Sequence, residues 1–220
     1  MILGFDTSTA ASAACVLRAD GVAHEALPDP WALTAPPAHA RELLPAITAV
    51  MDEAGADFGD LEAIAVGVGP GTFTGLRIGI ATARTLAAAS HLPLRPVSSL
   101  AALAAGMGDG PALGLIDAKR GELFAALYES GRQRWAPFVA SPQEVARRVE
   151  GAGLRPRAAG DGSIRFRGVL EAAGIRVDPD ESRSHLVRAL HVCRLAEGVP
   201  DAPPETVLPD YLRAPDAKPR

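Results

Sequence analysis

Ile2-Leu3-Gly4-Phe5-Asp6-Thr7-Ser8-Thr9 opens the chain, and Ser12-Ala13-Ala14-Cys15-Val16-Leu17 follows it. A short apolar run that ends in a carboxylate, a tight polar turn and a second apolar run predict strand, turn, strand. Asp20-Gly21 between apolar residues is a hairpin signal and predicts a third strand over 22–27. Ala112-Leu113-Gly114-Leu115-Ile116-Asp117-Ala118-Lys119-Arg120-Gly121-Glu122 leads in the same way into an apolar strand at 123–128. Laid over the opening, Asp117 falls on Asp6, a weak internal repeat.

Between the repeats the spacing predicts α/β structure. Leu43, Leu44, Ile47, Val50, Met51 and Ala54 recur at helical intervals over 41–54, with Gly55 at the C-cap and Pro45 either near the first turn or at a kink. Residues 63–68 read as a strand buried on both faces, followed by Gly69-Pro70-Gly71-Thr72-Phe73-Thr74-Gly75 and a helix over 74–90. The only charges of that helix are Arg77 and Arg84, so it is expected to be covered on nearly all sides. A strand at 94–97, a short helix from Ser98 or Ser99 and a glycine-rich loop at 106–110 close the first half. The second half adds helices over 141–150 and 183–197, then an extended tail from Gly198 that packs 207–212 on the body. The expected architecture is two mixed-sheet lobes, 1–110 and 111–220, with a cleft between them.

With 220 residues, 48% of them hydrophobic and 22% charged, the chain is large enough to bury a sizeable core. The longest charge-free stretch, 63–76, holds four glycines and a proline and falls short of the ~20 apolar residues of a membrane helix. The N-terminus has no basic region before Asp6, so a secretory signal is not expected and the expected location is cytoplasmic. Cys15 and Cys193 are too few for a disulfide framework and read as buried free thiols. Net charge is −4, which excludes a polycationic nucleic-acid binder.

Several residues carry possible chemistry. Asp6-Thr7-Ser8 in its turn suits a magnesium-nucleotide phosphate site, with Asp117 facing it across the cleft, but taken alone better suits side chains that satisfy their own turn. Gly71 and Thr72 precede a helix whose first amides can cradle a phosphate. The same glycines also let helix and strand approach closely, with Thr72 or Thr74 as cap. The loop lacks the Gly-Lys-Ser/Thr of a P-loop, and no acidic residue between Glu62 and Asp109 can hold a ribose. His39 has Leu43, not a second histidine, four residues on, so no metal site is expected. Arg147, Arg148, Arg155, Arg157, Arg165 and Arg167 are opposed only by Glu150 and Asp161, which reads as a solvated face more than a phosphate-contacting one.

Taken together, Gly4-Phe5-Asp6-Thr7-Ser8, His39-x-x-x-Leu43-Leu44-Pro45 and Gly67-x-Gly69-Pro70-Gly71-Thr72-Phe73-Thr74-Gly75-Leu76-Arg77-Ile78-Gly79 resemble the TsaB (YeaZ) family. Pro96-Val97-Ser98-Ser99-Leu100, Ile116-Asp117-Ala118-Lys119-Arg120-Gly121-Glu122 and Pro209-x-Tyr211-Leu212-Arg213 extend the likeness along the chain. That family is the dimerization subunit of the bacterial tRNA threonylcarbamoyladenosine machinery. The resemblance implies an actin-like, Hsp70-like and sugar-kinase-like (ribonuclease H-like) ATPase fold with a shortened second lobe. It also implies a degenerate relative of the catalytic subunit TsaD, in which two histidines four apart bind a metal, whereas only His39 is present here.

From the resemblance follow a non-catalytic role, no cofactor of its own, and ATP and metal on partner subunits. The expected partners are TsaD in a heterodimer, TsaE, a second copy of the chain when alone, and tRNA indirectly. Asp6, Thr7, Ser8, Gly71, Thr72 and Asp117 are expected to be a vestigial phosphate site. The expected interface is Leu44, Ile47, Met51, Leu76, Ile80 and Ala83. Rival expectations are an ATPase or small-molecule kinase using Asp6, Thr7, Gly71 and Asp117, a peptidase, and an NADP-linked oxidoreductase with Arg95 at a ribose phosphate.

Overall fold

The structure, a computed structural model, describes residues 1–213. Its first sheet combines β1 (Ile2–Asp6), β2 (Ala13–Leu17), β3 (Ala23–Ala26), β4 (Ala63–Gly69) and β5 (Leu94–Ser98) in the order β3-β2-β1-β4-β5. The second combines β6 (Pro111–Lys119), β7 (Glu122–Glu129), β8 (Arg132–Ala140), β9 (Arg157–Ala159) and β10 (Arg176–Val177) in the order β10-β9-β6-β7-β8. In each, three antiparallel strands are followed by two strands added in parallel on the far side of the first. The two sheets therefore share one topology, and Asp6 and Asp117 occupy corresponding strands. The shortening of the second lobe lies in β9 and β10, of three and two residues, and in its brief helices.

Helices and sheets alternate in layers. α1 (His39–Ala54) and α2 (Phe73–Ser90) cover the outer face of the first sheet, where Leu43, Ile47, Val50 and Met51 meet Leu3, Phe5, Val16 and Ile64. α3 (Ser99–Ala105) and α7 (Ala189–Ala196) lie between the sheets, joining Ile2 and Cys15 on one side to Ile116, Phe124 and Ala126 on the other. α4 (Pro142–Gly151), α5 (Asp161–Arg165) and α6 (Arg167–Ala172) belong to the second lobe, and Val145 and Leu170 pack on the outer face of its sheet. A Cβ at Gly4 would stand 2.5 Å from Cys193 Sγ, so glycine is what allows α7 to press against β1. Cys15 and Cys193 are both free and buried. No helix of the described residues is long and apolar enough to cross a membrane.

Several expectations are revised. α1 begins two residues earlier than its spacing predicts and carries Pro45 on its exposed face. α2 is covered on one side only: Gly75, Leu76, Gly79, Ile80, Ala83 and Ala87 are buried, whereas Phe73, Arg77, Ala81, Thr85 and Ala88 are exposed. The helix expected over 183–197 is a short turn at Arg183–His185 followed by α7. β8 has no strong alternation to announce it. From the second half of the chain, α7 packs on β1 and β2, Ala202 bonds with Leu94, and Val207 joins the core between the first sheet and its outer helices. In the tail, Pro204–Thr206 forms a helical turn and Leu208 stands exposed, so it is extended only in part. The tail prolines at 215 and 218 lie outside the described residues.

Candidate functional site

β1 ends at Asp6, and the turn that follows is enclosed: Asp6, Thr7, Ser8 and Thr9 are all buried. Asp6 Oδ1 accepts from the Ser8 backbone N–H at 2.7 Å and from Ser8 Oγ at 2.6 Å, while Oδ2 accepts from Ser99 Oγ at 2.6 Å. Burial pushes the Asp6 carboxyl up from its ordinary range, against the opposing pull of the Ser8 and Ser99 hydrogen bonds. Thr7 Oγ1 donates to the Gly75 carbonyl at 2.8 Å, and Thr72 N–H donates to the Ser8 carbonyl at 2.7 Å. A Cβ at Gly67 would overlap the Asp6 carboxylate, one at Gly71 would overlap Ser8, and one at Gly75 or Gly79 would overlap Thr7. The glycines of the 67–79 block thus serve close approach, and they seal Asp6 in. Thr72 is the N-cap residue of α2, but its side chain makes no capping bond.

Asp117 sits in a different environment. Its Oδ1 accepts from Lys119 N–H at 2.8 Å, and its Oδ2 accepts from Lys119 Nζ at 2.9 Å and Arg165 Nη1 at 2.7 Å. Burial alone would raise this carboxyl, but the Lys119 and Arg165 hydrogen bonds outweigh it and hold it below the ordinary carboxylate range. Asp161 Oδ1 accepts from the Asp117 backbone N–H at 3.0 Å. Burial, reinforced by the Asp117 charge, pushes Asp161 up to about 6. Ser99, Lys119, Asp161 and Arg165 were not among the expected site residues. Asp161 had its signal in Gly160-Asp161-Gly162, whereas the role of Arg165 depends on how α5 docks against β6.

A cleft of about 560 Å³ lies between the lobes, with Gly71, Thr72, Asp117, Lys119, Phe124 and Tyr211 among its walls. The structure brings Asp6, Thr7 and Ser8 together with Gly71 and Thr72, but the first three lie behind the glycine backbone. The expected pair of carboxylates facing each other across the cleft is therefore not formed. The tail crosses the opening: Asp210 N–H donates to the Val68 carbonyl at 2.8 Å, and Tyr211 stacks on Phe73 with ring centres 5.5 Å apart. Arg77 Nε donates to Tyr211 Oη at 2.9 Å, and Arg213 reaches the second lobe at the Ala118 carbonyl and Glu122. A magnesium-bound phosphate does not fit this arrangement, since one carboxylate is enclosed and the other is occupied by the chain's own cations.

Other expected residues fall outside the cleft. Of the expected interface only Leu44 is a surface residue, 53% exposed. Ile47, Met51, Leu76, Ile80 and Ala83 are buried within the chain, because the regular apolar spacing of α1 and α2 marks the stripe facing the sheet. Arg95 is paired with Asp201 at 2.7 Å and Glu62 at 3.1 Å, leaving it engaged where a ribose phosphate was considered. In the arginine-rich stretch, Arg157 binds Asp178 and the Met107 carbonyl, Arg165 binds Asp117, and Arg167 binds Asp180 and Glu171. Those three are tied to acceptors of the chain, whereas Arg147, Arg148 and Arg155 stand exposed, and Arg165 remains about half exposed. His39 is buried, with Nδ1 2.8 Å from Ser12 Oγ, and burial lowers its pKa. Among the described residues no group of three or more His, Cys, Asp or Glu is arranged to hold a metal.

Residues 33–163 match the family model of TsaD, tRNA N6-adenosine threonylcarbamoyltransferase. An uncharacterized protein of Mycobacterium bovis is 34% identical over 183 residues, covering 83% of this chain and 78% of the relative. The Escherichia coli tRNA threonylcarbamoyladenosine biosynthesis protein TsaB is 37% identical over 134 residues, 58% of this chain and 54% of that one. The chain thus spans about half the length of that relative, and 40% of an uncharacterized Mycobacterium leprae relative. A crystal structure of a Pseudomonas aeruginosa protein with similarity to the peptidase YeaZ superposes with a TM-score of 0.78 at 32% identity, covering 96% of this chain and 99% of that one. YeaZ from the same organism superposes with a TM-score of 0.74 at 31% identity, again over 96% and 99% of the two chains. Two lobes of one topology, the enclosed Asp6 turn and these matches agree: the chain belongs to the TsaB (YeaZ) family.

Proposed function

We propose that the chain takes part in tRNA threonylcarbamoyladenosine biosynthesis as a non-catalytic subunit that dimerizes with and activates TsaD. The observation that carries this reading is the unequal fate of surface and site. Beyond the start of α2, where Tyr211 lies on Phe73 and Arg77, no described residue covers the outward faces of α1 and α2, which bear small and apolar residues, with Leu44, Thr48, Ala81, Thr85 and Ala88 exposed. The two carboxylates that would serve a nucleotide are sealed in or neutralised. Adjacent helices with such faces suit packing against a matching pair, and a specific interface needs only about 800 Å² from each partner. Self-pairing of the isolated chain through the same surface, TsaE as a further component and indirect contact with tRNA through the complex complete the proposal. ATP and metal belong to the partner subunits in this reading.

Leu44→Glu and Ala81→Glu put a charge on this face without entering the core. Loss of TsaD co-purification by the folded variants is expected, and unchanged association would overturn the docking reading. Reconstitution with TsaD and TsaE, scoring modified tRNA with each component omitted, tests the role itself. Tight magnesium-ATP binding and turnover by the isolated chain would replace it with the ATPase reading. The buried Ser12–His39 pair does not favour the peptidase reading, since Asp6 is bonded to Ser8 and Ser99 and not to the imidazole.

A further inference from the structure

We infer that the cavity between the first turns of α1 and α2 binds a small oxyanion of the phosphate type. β3, β1 and β4 run in one direction and both helices return against it, so the two N-termini meet at the carboxyl edge of the first sheet. Between them lies a space of about 440 Å³ walled by Ala38, His39, Ala40 and Arg41 from the start of α1 and by Thr72, Thr74, Gly75 and Ile78 from the start of α2. Neither helix has a side-chain cap, and α2 has no acidic residue in its first turn. Two sets of first-turn N–H groups, each at the positive end of a helix dipole, therefore face one cavity.

A second and independent feature points to a ligand. His39 is 97% buried, yet its Nε2 has no hydrogen-bond partner among the described residues. A Cβ at Gly75 would overlap the Thr7 carbonyl oxygen and stand 2.6 Å from Thr72 Oγ1 and 3.2 Å from His39 Nε2, so glycine lets Thr7 pack there and the Thr72 and His39 polar atoms meet beside it at the first turn of α2. An anion there fixes the ring proton on Nε2, with Nδ1 accepting from Ser12 Oγ, and satisfies a buried ring atom that the described residues leave without a partner. Arg41 stands at the cavity wall as an exposed cation, and Glu42, the carboxylate next to it, is also exposed on α1. The cavity adjoins the inter-lobe cleft, with which it shares Thr72 and Thr74, and does not depend on the proposed partner.

Phosphate titration of the full chain by calorimetry and phosphorus NMR, against chloride at matched ionic strength, tests the inference. Saturable binding is expected, weakened about tenfold or more in His39→Ala and in Thr74→Glu. Thr74 is exposed, and a carboxylate suits a first helical turn, so Thr74→Glu keeps the fold even where His39→Ala fails to fold. Absence of saturable phosphate binding by the wild type, or binding unchanged in folded Thr74→Glu, overturns the proposal. ADP binding tighter than phosphate and lost in the same variants identifies the terminal phosphate of a nucleotide as the source. Equal or weaker binding of ADP identifies free phosphate.

Discussion

The two lobes carry the same sheet topology and the same carboxylate position, and they treat that carboxylate in opposite ways. In the first, Asp6 is enclosed by glycine backbone and held by two serines, and burial raises its pKa. In the second, Asp117 stands at the cleft with Lys119 and Arg165 on it, and its pKa is lowered. One site is closed by steric fit and the other by charge. A duplicated backbone therefore preserves where a functional group sits but not its chemistry, because that chemistry depends on a few neighbours contributed by distant segments.

This contrast can be broken experimentally. The largest effect is expected in the sterically built lobe, where Ile80→Glu buries a carboxylate at a position only 3% exposed and removes about 4 kcal/mol or more, read by chemical denaturation. Leu44→Glu on the neighbouring helix is expected to change stability by less than about 0.5 kcal/mol. Gly67→Ala drives a methyl into the Asp6 carboxylate and is expected to cost about 3 kcal/mol, with urea midpoints as the readout. A near-neutral result would show that the Asp6 turn can yield, and would erase the steric half of the comparison.

In the second lobe the effects are electrostatic and smaller. Asp161 is pushed up to about 6 from 3.8, so folding favours its protonated form. Its contribution is fully present below pH 3.8 and is lost as pH rises through 6. Asp161→Asn retains an acceptor for the Asp117 N–H, and is expected to gain roughly 2 kcal/mol relative to wild type between pH 4 and 7. Parallel denaturation series across that range measure the difference, and parallel curves would discount the buried environment of Asp161. Arg165→Gln removes one of two cations from Asp117. Because Arg165 is about half exposed, less than about 1 kcal/mol is expected. Asp117 has a lowered pKa, so its contribution is present above pH 3.8 and is lost as pH falls through its folded value. The loss in Arg165→Gln should accordingly be seen at neutral pH and vanish in acid.

Local chemistry made much of this legible beforehand. The hairpin at Asp20-Gly21, the Gly55 cap and the continuous apolar run of β4 each speak through a few adjacent residues, and each predicted element formed. The strand-Asp-turn repeat marked the shared topology of the sheets. What misled was the choice of Ile47, Met51, Leu76, Ile80 and Ala83, on the regular apolar stripe of α1 and α2, as contacts for the partner that the resemblance implied. Periodicity reports that a stripe is buried, not what buries it. Here the chain's own sheet does so. Arg157, Arg165 and Arg167 misled in a related way: their count suggested solvent, whereas the carboxylates that take them up come from β6, the segment after β10 and α6.

By itself, the sequence determined the elements, the doubled strand-Asp-turn unit, the resemblance to the TsaB family and the glycine block that brings α2 against β1. These depend on backbone conformation and near-neighbour side chains. Only the tertiary structure decided which helix face looks outward, that Asp6 is sealed while Asp117 is paired, that α7 returns to the first lobe, and that two uncapped helix starts meet beside an unpartnered His39 nitrogen. Those facts arise from contacts between residues far apart in the chain, and burial and electrostatics take their values only once such contacts exist.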